Sequence, residues 1–175
     1  MTDAFDLPRP SQLWKRLSAN RRQLAAAAFW RDENAVVEQA EAIAAIAQRI
    51  RFRLKSVQAM PPERKVQQLL ALPAVSEAVA ARLLVAYHLE HQRPMMGRFL
   101  DGLGIAHEDG LIAEEGLSPA PPERLRAAAD ALGGSFPAGD VSLYFSTLLW
   151  QDPETWGGLA DLPQVREGSP AAQRS

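Results

Sequence analysis

All three histidines of the chain, His88, His91 and His107, fall in one stretch that also holds Glu90, Asp101, Glu108 and Asp109. Neutral imidazole and carboxylate oxygen are the donors that zinc and other divalent transition metals take. In a helix, His88 and His91 lie three residues apart and share a face. His107 would come back from the loop after Gly104, with Asp109 or Glu108 as a fourth ligand. The local string His-Leu-Glu-His matches neither HExxH nor HxxEH. No Glu-x-x-His pair occurs either, the signature that two-metal carboxylate bundles use twice. The other reading of His88 and His91 is two polar residues near a helix C-terminus, where the dipole favours a protonated imidazole. No cofactor is expected beyond a divalent transition metal at this site.

Other reactive groups are scarce. With no cysteine, disulfides, thiolate zinc sites and a thiol nucleophile are excluded. No serine sits in G-x-S-x-G, and neither a P-loop nor a G-x-G-x-x-G after a strand is present. Arg98 to Ile112 echoes a helix-turn-helix around Leu103-Gly104-Ile105-Ala106. The expected recognition helix, however, would begin His107-Glu108-Asp109-Gly110, which repels phosphate and weakens a helix. It reads as a structural helical turn, and nucleic acid is not the expected partner.

Two further segments could bind a partner. Arg49, Arg51, Arg53 and Lys55 alternate through RIRFRLK. If the helix continues through them, Arg49/Arg53 and Arg51/Lys55 are i,i+4 pairs flanking Ile50 and Leu54. Their stems would then snorkel over that seam, and an acidic partner or RNA is the functional alternative. The last long helix is apolar on most sides, and its Tyr144, Phe145 and Trp150 are residue types that anchor interfaces. Such a helix is either central in the core or covered by another molecule.

These residues must be positioned by helices. The 175-residue chain suits one domain, and its alanine, leucine, arginine, glutamate and glutamine are strong helix formers. Period-two runs of β-branched residues are missing. Residues 1–65 carry 12 Lys/Arg against 7 Asp/Glu, and residues 66–175 carry 7 against 14, so a net charge of −2 conceals +5 and −7. No basic-then-apolar leader and no apolar run of membrane-spanning length is seen. A cytoplasmic protein with no membrane partner is therefore expected.

The spacing predicts a short helix from Pro10 to Leu17, then one capped by Asn20 with Gln23. The longest segment, from Asn34 to Val57, carries an apolar stripe of Val36, Ala40, Ile43, Ala47, Ile50, Leu54 and Val57. Pro61-Pro62-Glu63-Arg64 and its repeat Pro121-Pro122-Glu123-Arg124 each open a helix, since proline suits the first helical turn. Gly104 ends the helix after Pro94, residues 105–120 look irregular, and Asp140 caps the aromatic helix. The expected architecture is all-α, a single-domain bundle of about seven helices in antiparallel hairpins around the 34–57 helix. Residues 1–9 form a loose lead, 10–160 the helical domain, and 161–175 a disordered tail. The functional expectation is a non-enzymatic interaction protein, self-associating as a homo-oligomer through the aromatic helix or the alanine-rich seam. The alternatives are a metal-binding protein or metal-dependent enzyme around His88, His91 and His107, and binding of nucleic acid or an acidic partner through Arg49 to Lys55.

Overall fold

The computed structural model describes residues 7–167. The expected lead falls largely outside them, as does the end of the expected tail. The described residues are all-α apart from one two-stranded hairpin, with eleven α-helices and one 3-10 turn where about seven helices were expected. Packing divides them into two compact units, Arg9–His91 and the residues from Gln92 onward, the latter taking in Leu7 and Pro8.

The first unit contains α1 (Pro10–Arg16), α2 (Ala19–Arg31), α3 (Val36–Ile50), α4 (Leu54–Gln58), α5 (Pro62–Leu70) and α6 (Glu77–His91). Its centre is the α2–α6 pair, with α5 packed on α2 and α1 and α3 on α6, rather than the 34–57 segment. Small residues make this packing close: Ala25, Ala26 and Phe29 of α2 are buried with Leu83 and Leu84 of α6. Ser18, not Asn20, caps α2, its Oγ accepting the Arg21 N–H at 3.2 Å. The C-terminal end of α2 is closed from α3. The Gln39 amide donates to the carbonyls of Phe29 (2.8 Å) and Asp32 (2.9 Å), satisfying acceptors that a helix end leaves open. Arg82 of α6 holds the same corner through Asp32 at 2.8 Å.

The long amphipathic segment is not one helix. It stops at Ile50, with Arg51 left-handed at φ 57°, and α4 starts afresh at Leu54. The Phe52 N–H donates back to the Ala47 carbonyl at 3.0 Å, closing the end in the manner usually built on glycine. Its buried face is also displaced from the expected stripe. Ala35, Ala42, Ile46 and Ala47 are inside, while Val36 and Val37 are 65% and 77% exposed.

The second unit contains α7 (Arg93–Leu103), β1 (His107–Glu108), β2 (Leu111–Ile112), α8 (Pro122–Gly133) and α9 (Ala138–Gln151). It closes with α10 (Pro153–Trp156), the 3-10 turn Gly157–Asp161 and α11 (Pro163–Arg166). Helices α5 and α8 both start at the second proline of their Pro-Pro-Glu-Arg copy, and Gly104 is left-handed at φ 68° just after α7. Helix α9 opens at Ala138, placing Asp140 inside its first turn rather than at the cap. Phe99 is the hub of the core: its ring centroid lies 4.9 Å from Phe145, 5.8 Å from Tyr144 and 5.9 Å from Trp156. Gly102 lets α8 approach α7, since a Cβ there would sit 3.2 Å from the Ala128 methyl. Residues 163–166, expected as tail, are helical because Val165 is buried and α11 packs on α9.

Candidate functional site

The three histidines sit in three different environments. His88, on the inner face of α6, is 3% exposed, and its Nδ1–H donates to the Leu84 carbonyl at 2.7 Å. Burial pushes its pKa down to about 4 against the opposing effect of that bond, so the ring is neutral at neutral pH. His91, in the last turn of the same helix, is partly exposed. Its Nε2 stands 3.9 Å from Glu90, whose carboxylate also pairs with Arg31. The shared face expected at three-residue spacing thus resolves into one ring inside and one at the surface.

His107 belongs to the second unit and to an element the composition concealed. Asp109 (φ 50°) and Gly110 (φ 84°) are both left-handed and join β1 to β2, pairing His107 with Ile112 and Glu108 with Leu111. Positive φ at both central residues is the primed hairpin turn that Asp-Gly favours. The region expected to be irregular, or to begin a second helix, is this hairpin. Its imidazole is fully committed. Nδ1 accepts the Gly110 N–H at 3.0 Å, which places the ring proton on Nε2, 2.7 Å from Asp101 Oδ1 in the last turns of α7.

An imidazole oriented by a carboxylate is the arrangement that serves general-base catalysis. Here the nitrogen that would take a proton instead holds a backbone N–H, and the pair fastens the hairpin to α7. Two glycines make the contact. A Cβ on Gly97 would lie 3.2 Å from His107 Cε1, and one on Gly110 would lie 2.9 Å from the Arg93 carbonyl oxygen. Gly110→Ala is expected to lower stability by about 2 kcal/mol, combining left-handed strain with displacement of backbone. Chemical denaturation of the two proteins measures it, and an unchanged midpoint would contradict the docking described.

Asp109 is a turn residue with its carboxylate 3.8 Å from Arg93. Among the described residues no group of three or more His, Asp or Glu side chains is placed to hold a metal.

The aromatic helix resolves towards the core. Tyr144 and Phe145 of α9 are buried against Phe99, and burial raises the Tyr144 pKa. These two are therefore core residues rather than surface anchors, and Trp150 remains 42% exposed at the helix end.

The basic segment keeps its four cations but not the continuous helix expected to carry them. Because α3 stops at Ile50, Arg49, Arg51, Arg53 and Lys55 do not flank one helical seam; they straddle the break between α3 and α4 and all four are exposed. Between the cations stand Phe52 and Leu54, 48% and 57% exposed. Arg53 is extended at φ −72°, ψ 147°. No Asp or Glu occurs from residue 42 to 62, and among the described residues none of the four cations is ion-paired. Arginine in the left-handed region costs about 1 kcal/mol relative to glycine. Arg51→Gly is accordingly expected to raise stability by about 1 kcal/mol, read as a higher denaturation midpoint. A lower midpoint would show that the Arg51 side chain contributes more to the fold than its backbone costs.

Compared with known proteins, the chain matches no family model, no curated protein and no solved structure.

Proposed function

We propose that this chain is a non-enzymatic binding protein whose docking element is the break between α3 and α4, carrying Arg49, Arg51, Arg53 and Lys55 towards an anionic partner. One observation supports this reading above the rest. Four exposed, unneutralised cations surround two exposed apolar side chains in a stretch of 21 residues, 42 to 62, without a carboxylate. Arginine and lysine so arranged raise the local concentration of an anionic partner and set its approach. The arginine held left-handed at the tip supports it further, because strained backbone is more common where side-chain identity serves binding than where it serves packing.

The histidine region supplies a contrast. The imidazoles of His88 and His107 are engaged within their own units, by Leu84 and by Asp101 with Gly110 respectively. Tyr144 and Phe145 being internal, the aromatic helix offers a self-association surface only near Trp150.

Retention on heparin tests the reading. The parent chain is expected to be held at low salt and released as salt rises, because screening weakens exposed charges. The triple variant Arg49→Gln, Arg53→Gln, Lys55→Gln, at exposed positions and with unchanged circular dichroism, is expected to flow through. A parent that is not retained, or a triple variant retained equally, would dismiss the proposal.

A further inference from the structure

We propose that the anionic partner of this segment is a lipid surface, contacted peripherally, with Phe52 and Leu54 entering the boundary between headgroups and acyl chains. The inference rests on the basic-segment reading above and names its partner. No helix among the described residues is long and apolar enough to cross a membrane, and none is needed for surface contact.

Interfacial binding combines apolar side chains at the level of the upper acyl chains with cations at the level of the phosphates. The break between α3 and α4 provides both within the seven residues 49–55. Phe52 and Leu54 are separated by Arg53 alone, and each is about half exposed or more. Arg51, Arg53 and Lys55 are interleaved with them, and Arg49 enters from the end of α3. Single exposed apolar residues are ordinary on protein surfaces. An aromatic and an aliphatic side chain alternating along the chain with unpaired cations are a different chemical surface, matched by an acidic headgroup layer over hydrocarbon.

Nucleic acid fits the same residues less well. Arginine and lysine can read guanine edges, but residues 49–55 contain no amide or hydroxyl side chain to read the other bases. Stacking on single strands uses aromatic platforms, a role open to Phe52 but not to Leu54. The apolar half of the pair thus separates the two partners, since lipid uses both side chains.

Co-sedimentation of the full chain with phosphatidylcholine vesicles, with and without phosphatidylserine, tests the proposal. The expected result is binding to the phosphatidylserine vesicles, reversal by salt, and none to phosphatidylcholine alone. Neutralising Arg53 or Lys55 singly to glutamine should weaken the partition about fivefold each. The double variant Phe52→Ala, Leu54→Ala should weaken it about tenfold or more while leaving heparin retention intact. A Phe52→Trp variant should show blue-shifted emission with anionic vesicles and not with heparin. Heparin retention without vesicle binding would overturn the lipid partner and leave the basic-segment reading standing. Vesicle binding indifferent to Phe52 and Leu54 would overturn insertion. Single-stranded RNA bound in preference to vesicles, with loss on Phe52→Ala, would assign the segment to nucleic acid instead. Absence of both heparin and vesicle binding would remove both proposals together.

Discussion

Phe99→Ala is expected to destabilise the protein by about 4 kcal/mol, the largest effect of any single truncation considered. The ring is fully buried and meets Tyr144, Phe145 and Trp156, so its loss removes apolar transfer energy and also leaves a void. The void cannot close easily. Tyr144 and Phe145 are fixed on α9, Trp156 on α10, and α7 is itself held by the His107–Asp101 contact and the close approach at Gly102. Aromatic pairs at such separations add about 1 kcal/mol beyond area burial, which places this truncation at the upper part of the usual range. Urea unfolding of parent and variant measures the loss. A cost below about 1 kcal/mol would mean that the aromatic cluster is not the centre of the second unit.

Acidification is expected to cost about 3 kcal/mol through His88 alone, from the difference between about 4 in the fold and 6.5 for the free ring. The folded chain prefers the neutral imidazole, so between those values the unfolded chain binds the additional proton. Stability from this group is therefore complete above pH 6.5, declines as pH falls towards 4, and levels off below. Carboxylates add their own acid dependence, so the informative quantity is a difference. His88→Leu keeps an apolar side chain of similar bulk and removes the titration. Its stability should fall less than that of the parent between pH 7 and pH 4.5, by about 2 kcal/mol or more. Parallel pH profiles for the two proteins would show that His88 is solvated or ion-paired when protonated, contrary to its buried position.

Much of the helical character was legible because local signals agreed. Alanine, leucine and glutamate at three- and four-residue spacings give α2, α3, α6 and α9, and prolines 62 and 122 start helices where first-turn chemistry places them. Gly104 ends α7 as the one residue that occupies a left-handed cap at no steric cost. Where the reading departed from the structure, each departure has a physical source. Ile50, Leu54 and Val57 continue the helical period across a break, and the left-handed residue there is Arg51, which carries none of the glycine or asparagine signal for a helix end. On α3 the buried positions are mostly alanine, so the more hydrophobic Val36 drew the stripe one residue away from Ala35.

The hairpin had its signal in Asp109-Gly110. Its strands are only two residues long, too short to show alternation, and its stability comes from α7 through His107, Gly97 and Gly110. Residue type alone suggested convergence of the histidines and acids of that stretch. Ring by ring, the chain had other uses for two of them: a buried neutral imidazole in α6 and a lock on the hairpin. The candidate binding element was legible as a row of cations; the exposed apolar pair between them became visible only once the helix was seen to stop.

The central claim is that four cations at the α3–α4 break act together on an anionic partner, and the salt dependence of heparin affinity addresses it most directly. If all four engage, the logarithm of affinity should fall linearly with the logarithm of salt concentration at a slope of about −3. In the Arg49→Gln, Arg53→Gln, Lys55→Gln variant the slope should shrink to about −1. A flat dependence in the parent, or the same slope in both proteins, would contradict the account.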